Sequence, residues 1–533
     1  MFMMRKIKEG KMLRINNIKM PLNADVEELR RTAAEKLGCT AADLHNFKVA
    51  KKSVDARNKQ NVHFVYSIDC EPQVQVVYDK DAEQLLPEEK LVFDLPDDGV
   101  RPVVVGSGPA GMFAGIALAE AGLRPIILER GADVDARQKI VETFWKIGKL
   151  DTETNVQFGE GGAGTFSDGK LMSGIKKDKF TAKVMQELYA AGAPAEILYL
   201  AKPHIGTDNL RLVVRNIRKK IEALGGEYRF NHCLEDLIIK DSRLQGIKVR
   251  CGAEVYELEA TRLFLAIGHS ARDTFEMLHR AGVHMEQKPF SVGARIEHKQ
   301  ADINRAQYGV AAKSPYLGAA DYKMAVHLPN GRSVYTFCMC PGGVVVAAAS
   351  EKGRVVTNGM SEFARAGENA NAALLVGVGE ADFASPHPLA GMYFQRKLEE
   401  RAFALGGGDY RAPAQLAGDF LHSKVSVGGG SVVPSYAPAV NWSDFSALYP
   451  AEIAEAMRAG LAEMGKKLRG FDAPDAVLTG VETRSSSPVR IVRDETMQSN
   501  IKGLYPCGEG AGYAGGITSS AADALKVVYS LNK

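Results

Sequence analysis

The chain has 533 residues, of which 45% are hydrophobic and 25% charged, and its formal net charge is +3. This length exceeds what one hydrophobic core usually supports, so we expect two or three domains of a soluble globular protein. The nearly neutral charge excludes a globally basic nucleic-acid binder, and the lack of any run of about eighteen apolar residues excludes an ordinary membrane-spanning helix.

Cysteine usage predicts a reducing compartment. The seven cysteines are scattered and contain no CxxC pair, which is typical of reduced thiols in a cytoplasm: Cys39, Cys70, Cys233, Cys251, Cys338, Cys340 and Cys507. The segment Met1–Lys8 is charged but no apolar stretch follows it, so we expect no signal peptide. There is no paired CxxC and no HExxH, and we therefore expect no metal site.

Residues 1–95 have the pattern of a small basic α+β module followed by a linker. Asp25–Gly38 reads as a helix, and residues 47–54 and 62–69 alternate like the two strands of a hairpin. Its basic face is either a solvated hairpin surface or a contact for RNA or an acidic partner; the residues are Lys51, Lys52, Arg57 and Lys59. The acidic, proline-containing stretch from Glu71 to Arg101, which includes Pro87 and Glu88, is a link or a last strand.

The stretch 103–129 predicts a βαβ unit that binds a dinucleotide. Three valines form a buried strand, a GxGxxG turn leads into an Ala-rich helix, and a second apolar strand follows. Gly106 permits the tight turn, Gly108 lets the backbone approach a pyrophosphate, and Gly111 permits close helix packing. Phosphates are then expected at the helix start, beside Pro109 and Ala110.

Glu129 ends the second strand, about twenty residues after the glycines. An acid at this position accepts hydrogen bonds from a ribose diol, which favours an unphosphorylated ribose as in FAD or NAD. The neighbouring Arg130 weakens that inference, because an arginine can accommodate a 2′-phosphate.

A second glycine cluster spans residues 158–171. Its backbone N–H groups suit an anion or flavin cradle at Gly162, Ala163, Gly164 and Thr165; a flexible loop is the alternative. A helix is predicted over 208–224, then a strand at 228–232 and a three-stranded meander beginning at Cys233 and Leu234. An apolar strand over 262–268 ends at Gly268.

This order of elements resembles the two-dinucleotide-binding-domain flavoproteins, the FAD family that includes glutathione reductase. Residues 503–524 resemble the family's closing motif, in which a strand ends in Gly-Asp or Gly-Glu before a Gly-rich turn and a helix. The resemblance places FAD along Gly508 and Glu509, and it places the flavin at the helix start formed by Gly515, Gly516 and Ile517. The closing acid is Glu509, where the superfamily usually has Asp.

More narrowly, four segments look like a bacterial group of FAD-dependent dehydrogenase-like proteins: GGAGTFSDGKL, AIGHSARDT, KPFSVGARIEH and PCGEGAGYAGGI. We therefore expect an α/β fold with a Rossmann-like FAD-binding domain and β-meander over 96–287 and 421–533. Residues 288–420 are expected to form an inserted, mainly-β substrate or cap domain, with strands near 289–298 and 334–349. No second strand-GxGxxG-helix unit occurs there, so no dedicated NAD(P)H domain is expected.

The candidates for catalysis are two cysteines and Arg484, with Arg295 and three histidines as weaker candidates. Cys338 and Cys340 lie at i and i+2 of a predicted strand, so both thiols are expected on one face; a redox role and inert burial are the alternatives. Arg484 precedes the closing motif and either holds an anionic substrate or forms an ion pair, and Arg295 is a similar candidate. His204, His269 and His298 are candidates for proton transfer or for structural hydrogen bonds.

The sequence thus predicts a cytoplasmic FAD-dependent oxidoreductase that takes hydride from a small-molecule substrate or a transiently docked NAD(P)H. The alternatives are a thiol–disulfide reductase using Cys338 and Cys340, and a flavin-binding protein whose N-terminal module recognises RNA or a protein partner.

Overall fold

In a computed structural model of the chain, the structure describes residues 5–7, 10–78, 80–86, 89–171 and 178–532. Met1–Met4 and Lys8 of the N-terminal segment, and Pro87 and Glu88 of the predicted linker, lie outside the described residues. Within these ranges no helix has both the length and the apolar character needed to cross a membrane.

A five-stranded parallel sheet, the core sheet, lies at the centre of the nucleotide-binding part. In spatial order its strands are Leu504–Pro506, Leu263–Leu265, Val103–Val105, Ile126–Glu129 and Glu227–Phe230. The first four of these strands are buried and almost entirely apolar, as expected for a sheet covered by helices on both faces, whereas the edge strand Glu227–Phe230 is only half-buried. The predicted Rossmann-like fold is confirmed.

Two helices frame the C-terminal ends of these strands. The glycine-turn helix, Pro109–Glu120, and the closing helix, Ile517–Tyr529, pack against each other through small side chains such as Ala114 and Ala521. The other helices of this part are Val134–Ile147, Lys179–Ala190, Thr207–Ala223 and Arg272–Arg280. The helix predicted over 208–224 is therefore correct to within one residue.

The predicted meander is also present. It is an antiparallel sheet of His232–Lys240, Arg243–Cys251 and Glu254–Glu259. Leu234 and Leu244 pack it against the core sheet.

The inserted region is built on a seven-stranded sheet, the insertion sheet. In spatial order its strands are Ala325–His327, Ser333–Cys340, Asn369–Val378, Phe290–Lys299, Val477–Glu482, Ala412–Leu416 and Val440–Trp442. The boundary predicted at residues 420 and 421 falls between strands of this sheet, which continues to Glu482. The run 334–349 divides: Val344–Ala347 leaves the sheet and pairs with Thr357–Met360.

The region is mainly β, as predicted, and helices cover the insertion sheet. They are Gln300–Tyr308, Glu380–Phe383, Ala390–Gly406, Ala417–Leu421 and Ala451–Lys467. A ladder of Met285–Gln287 with Val489–Ile491 joins this region to the nucleotide-binding part. Short 3₁₀ turns occur at Ala41–Asp43, Ala163–Phe166, Ala195–Leu198, Gly309–Lys313 and Phe445–Ala447.

The N-terminal module has the predicted hairpin and helix. The helix, Val26–Leu37, begins with a capping box between Asp25 and Glu28 and ends at Gly38 with a φ of +67°. Its sheet consists of Leu44–Asp55, His63–Pro72, Leu13–Met20 and Ala82–Gln84, and Arg5–Ile7 pairs separately with Val76–Tyr78.

The basic hairpin of this module contacts the rest of the chain. The Lys52 N–H donates to the Tyr199 carbonyl over 2.8 Å, and the Ala201 N–H donates to the Lys52 carbonyl over 2.9 Å. The Lys59 ammonium donates to the Ala306 carbonyl. The acidic stretch that follows is not a free linker, because Phe93 and Leu95 are buried in the core beside the closing helix. RNA binding by this face remains a prediction.

Candidate functional site

One cavity lies along the C-terminal edge of the core sheet and extends beneath the insertion sheet. Gly108, at the start of the glycine-turn helix, and Gly516, at the start of the closing helix, both line it. A single extended ligand can therefore contact both helix starts, as the sequence predicts for FAD.

The glycine turn has the predicted geometry. A Cβ on Gly106, whose φ is +96°, would lie 2.4 Å from the Ala266 carbonyl oxygen, and a Cβ on Gly111 would lie 1.8 Å from the Gly106 carbonyl oxygen. Gly108 is the N-cap of the helix and no side chain caps it. The helix start therefore offers backbone N–H groups and positive partial charge to a phosphate.

The closing helix has the same arrangement. Gly516 has φ 148° and ψ 175°, a conformation that is essentially restricted to glycine, and no side chain caps the helix. A Cβ on Gly515 would meet no protein atom within 4 Å, and one on Gly516 would come no closer than 3.9 Å to the rest of the chain. Side chains at these positions would therefore project into the cavity and not into protein, which fits a planar ring system lying against this turn.

The second glycine cluster forms the wall between the two helix starts. A Cβ on Gly162, whose φ is +62°, would lie 2.9 Å from the Gly108 Cα, and one on Gly164 would lie 3.3 Å from the Ile517 Cγ1. The loop is fixed by the fully buried Arg137, whose guanidinium donates to four loop carbonyls: those of Asn155, Val156, Gly159 and Glu160. Burial lowers the pKa of Arg137 to about 10, so it stays charged at neutral pH. These buried hydrogen bonds favour the predicted cradle over the alternative of a flexible loop.

Glu129 lines the cavity and is buried. Its Oε1 accepts from the N–H groups of Gly131 and Gly159 at 2.9 Å, and its Oε2 accepts from the Ser107 N–H at 2.9 Å and the Ser107 hydroxyl at 2.8 Å. The hydroxyl is the one rotatable donor among these four, so it is the partner that a ribose hydroxyl can replace.

Arg130 also lines the cavity, but two carboxylates of the protein neutralise its charge. It donates to both carboxylate oxygens of Asp273 at 2.9 Å and to Glu153 at 3.0 Å, and its guanidinium lies 4.3 Å from the centre of the Phe158 ring. A 2′-phosphate would have to compete with two carboxylates for this side chain. The arrangement therefore suits the unphosphorylated ribose of FAD.

The other predicted cofactor residues divide into two groups. Ten line the cavity: Gly106, Pro109, Ala110, Ala163, Leu234, Gly268, Glu509, Gly515, Gly516 and Ile517. Three support its walls from behind: Gly111, Thr165 and Gly508. The Gly508 N–H donates to the Asp523 carboxylate, and the Thr165 hydroxyl donates to the Glu160 carbonyl.

Glu509 forms an unusual pair with His269 at the cavity wall. The His269 Nε2 and the Glu509 Oε1 are 3.8 Å apart. Burial raises the pKa of Glu509 to about 7, against the opposing effect of Lys288. Burial together with Arg484 and Arg272 lowers the pKa of His269 to about 3, so its imidazole is neutral. The burial of Glu509 thus gives the site a carboxyl whose pKa is near neutral pH.

Arg484 is part of a buried ion network and is not free to hold a substrate. It donates to the two oxygens of Glu399 at 3.2 and 3.0 Å and to the Ser350 hydroxyl at 2.6 Å. Glu399 also accepts from Arg272 twice, at 2.7 Å each. Although burial opposes ionisation, Arg272 and Arg484 hold the pKa of Glu399 well below its usual range. Of the two alternatives for Arg484, the structure has the ion pair.

The two cysteines both line the cavity, but not by simple strand alternation. The ladder is irregular between Phe337 and Cys340, and Cys338 has a φ of +41°. Cys338 faces the cavity, whereas the buried Cys340 sulfur accepts from Arg295 at 3.5 Å. Desolvation by the surrounding protein raises the pKa of Cys338 to about 12, although its side chain is exposed to the cavity, and burial raises the pKa of Cys340 above its ordinary value.

Arg295 and the remaining histidines have structural partners. Arg295 is fully buried, donates to Asn371 and lies 3.3 Å from Glu482, whose pKa is raised by burial. The Nε2 atoms of His204 and His298 lie at hydrogen-bond distance from the carbonyls of Phe363 and Phe471. Glu399, Glu482 and Arg137 were not predicted; their only sequence signal is a charged residue at a position that the helix or strand pattern buries.

Family models match three parts of the chain. The model described as FAD-dependent protein, C-terminal domain-like, matches residues 289–485, the FAD binding domain matches residues 101–145, and a domain of unknown function matches residues 12–71. These ranges correspond to the insertion, the glycine turn and the N-terminal module.

A protein of Clostridium beijerinckii, named only as uncharacterised, is 48% identical over 524 residues, which are 97% of each chain. Among solved structures, the flavin-dependent brominase Bmp2 is 14% identical with a TM-score of 0.36, over 81% of this chain and 77% of that one. The glycerol-3-phosphate dehydrogenase from Bacillus halodurans complexed with FAD is 11% identical with a TM-score of 0.35, over 82% and 65%.

The glycine-lined cavity suits FAD, two FAD-related family models match two of the parts that form it, and the Clostridium relative spans nearly the whole chain. The chain therefore belongs to a family of FAD-dependent proteins that includes this Clostridium beijerinckii protein.

Proposed function

We propose that the protein moves a hydride between a small organic substrate, or a nicotinamide that docks transiently, and its flavin. The observation that carries this proposal is the single cavity, which joins two uncapped helix starts to a chamber under the insertion sheet. Bound FAD supplies reversible two-electron chemistry, which the protein side chains themselves lack.

The chain's own groups have defined tasks in this proposal. Backbone N–H groups at Gly108 and in the second glycine cluster bind the pyrophosphate. The start of the closing helix at Gly516 stabilises negative charge on a ring system beside it. Glu509, which titrates near neutral pH beside a neutral His269, is placed to hold or release a proton at the cavity wall.

The chamber for the substrate is formed by the insertion. Phe337, Thr357, Gly359, Glu482 and Ser485 line the cavity on this side. Within the described ranges the one sheet of Rossmann type is the core sheet, and this supports a donor that enters the chamber over one held by a second nucleotide-binding domain.

Anaerobic mixing of the purified yellow protein with NADH and with NADPH tests the proposal. Rapid loss of the flavin absorbance with either cofactor identifies nicotinamide as the donor. If neither NADH nor NADPH reduces the flavin, a panel of small hydroxy and amino compounds is tested in the same way. A flavin that dithionite reduces, but that no nicotinamide and no organic donor reduces, would contradict the proposal.

The thiol–disulfide alternative has less support, because the protein environment disfavours the thiolate form of both cysteines. Raised pKa values keep both sulfurs protonated at neutral pH, whereas thiol exchange requires a thiolate. We expect the double variant Cys338→Ala and Cys340→Ala to reduce its flavin at a rate within about twofold of the parent. Loss of turnover with unchanged flavin reduction would restore the thiol mechanism.

A further inference from the structure

Lys170 is held rigidly at the wall of the same cavity, where the second glycine cluster ends. Its backbone bridges that of His204, and the Leu171 N–H donates to the Pro203 carbonyl over 3.0 Å. The side chain lines the cavity and is partly exposed there. The backbone of Lys170 is therefore held in place by its contacts with residues 203 and 204.

The charges around this chamber do not cancel. Asp168 is buried and accepts from two cations: from Arg365 at 2.9 and 2.6 Å, and from Lys170 at 2.7 Å. No other acid in the part of the chain that the structure describes forms an ion pair with Lys170 or Arg365. This group of three side chains therefore carries one surplus positive charge.

The other charged groups of the chamber are balanced. Glu482 is paired with Arg295. Arg484 shares Glu399 and Glu351 with Arg272. Glu351 also pairs with Arg396 and Arg354, which in turn pair with Glu276 and Glu400, so this network has four cations and four acids. Of this group, Asp168 and Lys170 line the cavity and Arg365 does not. Because Asp168 is shared with Arg365, the surplus positive charge that reaches the cavity lies at Lys170.

Lys170 also has donor capacity left. An ammonium group has three N–H donors, and those of Lys170 have two protein partners, the Asp168 carboxylate and the Met339 carbonyl. The Thr357 hydroxyl lines the same cavity, is buried and has no hydrogen-bond partner among the residues described. A buried polar group without a partner is rare in native proteins and indicates a missing ligand or water.

From these observations we infer that Lys170 binds an oxyanion group of the substrate, a carboxylate or a phosphate, in the chamber under the insertion sheet. This inference rests on the proposed function, because it names the class of molecule that the proposed oxidoreductase takes. The positive charge also acts on the neighbouring sulfurs, since Lys170 opposes the burial that raises the pKa values of Cys338 and Cys340.

The test uses holoprotein and ligands that perturb the flavin absorbance spectrum. Benzoate and inorganic phosphate are titrated separately to distinguish the two oxyanions, and benzamide serves as the neutral isostere of benzoate. We expect at least one anion to bind the parent protein, and benzamide to bind at least about tenfold more weakly than benzoate if benzoate is that anion. This arm needs no variant, so it stands even where a substitution fails to fold.

The variants then assign the anion to Lys170. Lys170→Met should raise the Kd of the bound anion at least about tenfold, and Lys170→Arg should keep it within about threefold. Lys202→Met, which removes a surface lysine paired with Asp321 outside the cavity lining, is the matched control and should leave the Kd unchanged.

The outcomes are distinguishable from failure of the proposed function. Each variant is first shown to hold a full complement of FAD, so a protein without flavin counts against the oxidoreductase and not against the anion site. A flavin-loaded parent that binds neither anion would overturn the inference. A Lys170→Met variant that binds the anion as tightly as the parent would also overturn it. If the flavin reduction potential of that variant shifts at the same time, Lys170 acts on the flavin and not on the substrate.

Discussion

The core-sheet part and the insertion contribute to one cavity in different ways. On the core-sheet side the cavity is lined mostly by backbone: glycines at Gly108, Gly162 and Gly516, and the helix starts beside them. On the insertion side it is lined by side chains whose charges are paired deep in the protein, such as Arg484 with Glu399 and Arg295 with Glu482. The first side suits a cofactor of fixed chemistry, whereas the second can change its ligand with a few substitutions.

The largest change in stability is expected from a substitution on the insertion side. Glu399→Ala removes the carboxylate that neutralises Arg272 and Arg484, which leaves two buried cations without their shared partner. We expect the free energy of unfolding to fall by about 3–5 kcal/mol. Urea unfolding at constant FAD concentration measures this change.

Its matched control is the next residue of the same helix. Glu400 is 52% exposed and pairs with Arg354 at 2.7 Å, so Glu400→Ala should change the free energy of unfolding by less than about 1 kcal/mol. Equal losses in the two variants would mean that the buried network does not stabilise the insertion.

The second test addresses the backbone-lined side. Gly106→Ala places a Cβ 2.4 Å from the Ala266 carbonyl oxygen at a φ of +96°, and we expect it to lower the free energy of unfolding by about 3 kcal/mol. Gly515→Ala places its Cβ in open space. It should unfold like the parent but bind FAD more weakly, as equilibrium dialysis can measure.

A Gly515→Ala variant with unchanged FAD affinity would contradict the placement of the cofactor against the closing helix. A stable Gly106→Ala variant would show that the turn tolerates a side chain, and would weaken the claim that this side depends on glycine.

The smallest effect concerns Glu509, which lies between the two parts. Because its pKa in the folded protein is about 7, above the value of about 4.3 in an unfolded chain, the folded state binds the extra proton. Stability should therefore fall as pH rises, by about 2 kcal/mol between about pH 5.5 and pH 7.5.

Flavin-free protein should be used, since a bound flavin changes the surroundings of Glu509. The contribution is the difference between the urea-unfolding curves of the parent and of Glu509→Gln, which keeps the side-chain size and cannot titrate. Parallel pH profiles for the two proteins would mean that Glu509 has an ordinary pKa.

The sequence was sufficient where local geometry determines the structure. Gly106, Gly108 and Gly111 specify the turn by their spacing, and Asp25 with Glu28 and Gly38 specifies a helix by its ends. The contacts that define these patterns are local, such as Gly111 against the Gly106 carbonyl and Glu28 against Asp25, so pattern and propensity determine them. The close approach of Gly106 to Ala266 is remote in the sequence and was not predicted.

The sequence was insufficient where partners are remote. Arg484 and Glu399 are 85 positions apart, and Arg365 and Asp168 are 197 apart. The sequence around each of these four residues does not indicate its partner. The pattern at Arg484 was therefore consistent with both an ion pair and a substrate contact. The boundary predicted at residues 420 and 421 differs from the observed sheet for the same reason. Val477–Glu482 pairs with Phe290–Lys299 in the insertion sheet, although the two strands are far apart in the sequence.

The order of strands in the core sheet has a consequence for biosynthesis. Leu504–Pro506 is an edge strand of that sheet, and it follows Val103–Val105 by about 400 residues. A ribosome-bound chain that has emerged only as far as the insertion has the glycine turn but not the helix that closes the cavity. We therefore expect stable flavin binding only after the closing segment has been synthesised. A nascent chain that stalls before this segment would have an unpaired sheet edge, which is prone to aggregation and to binding by chaperones.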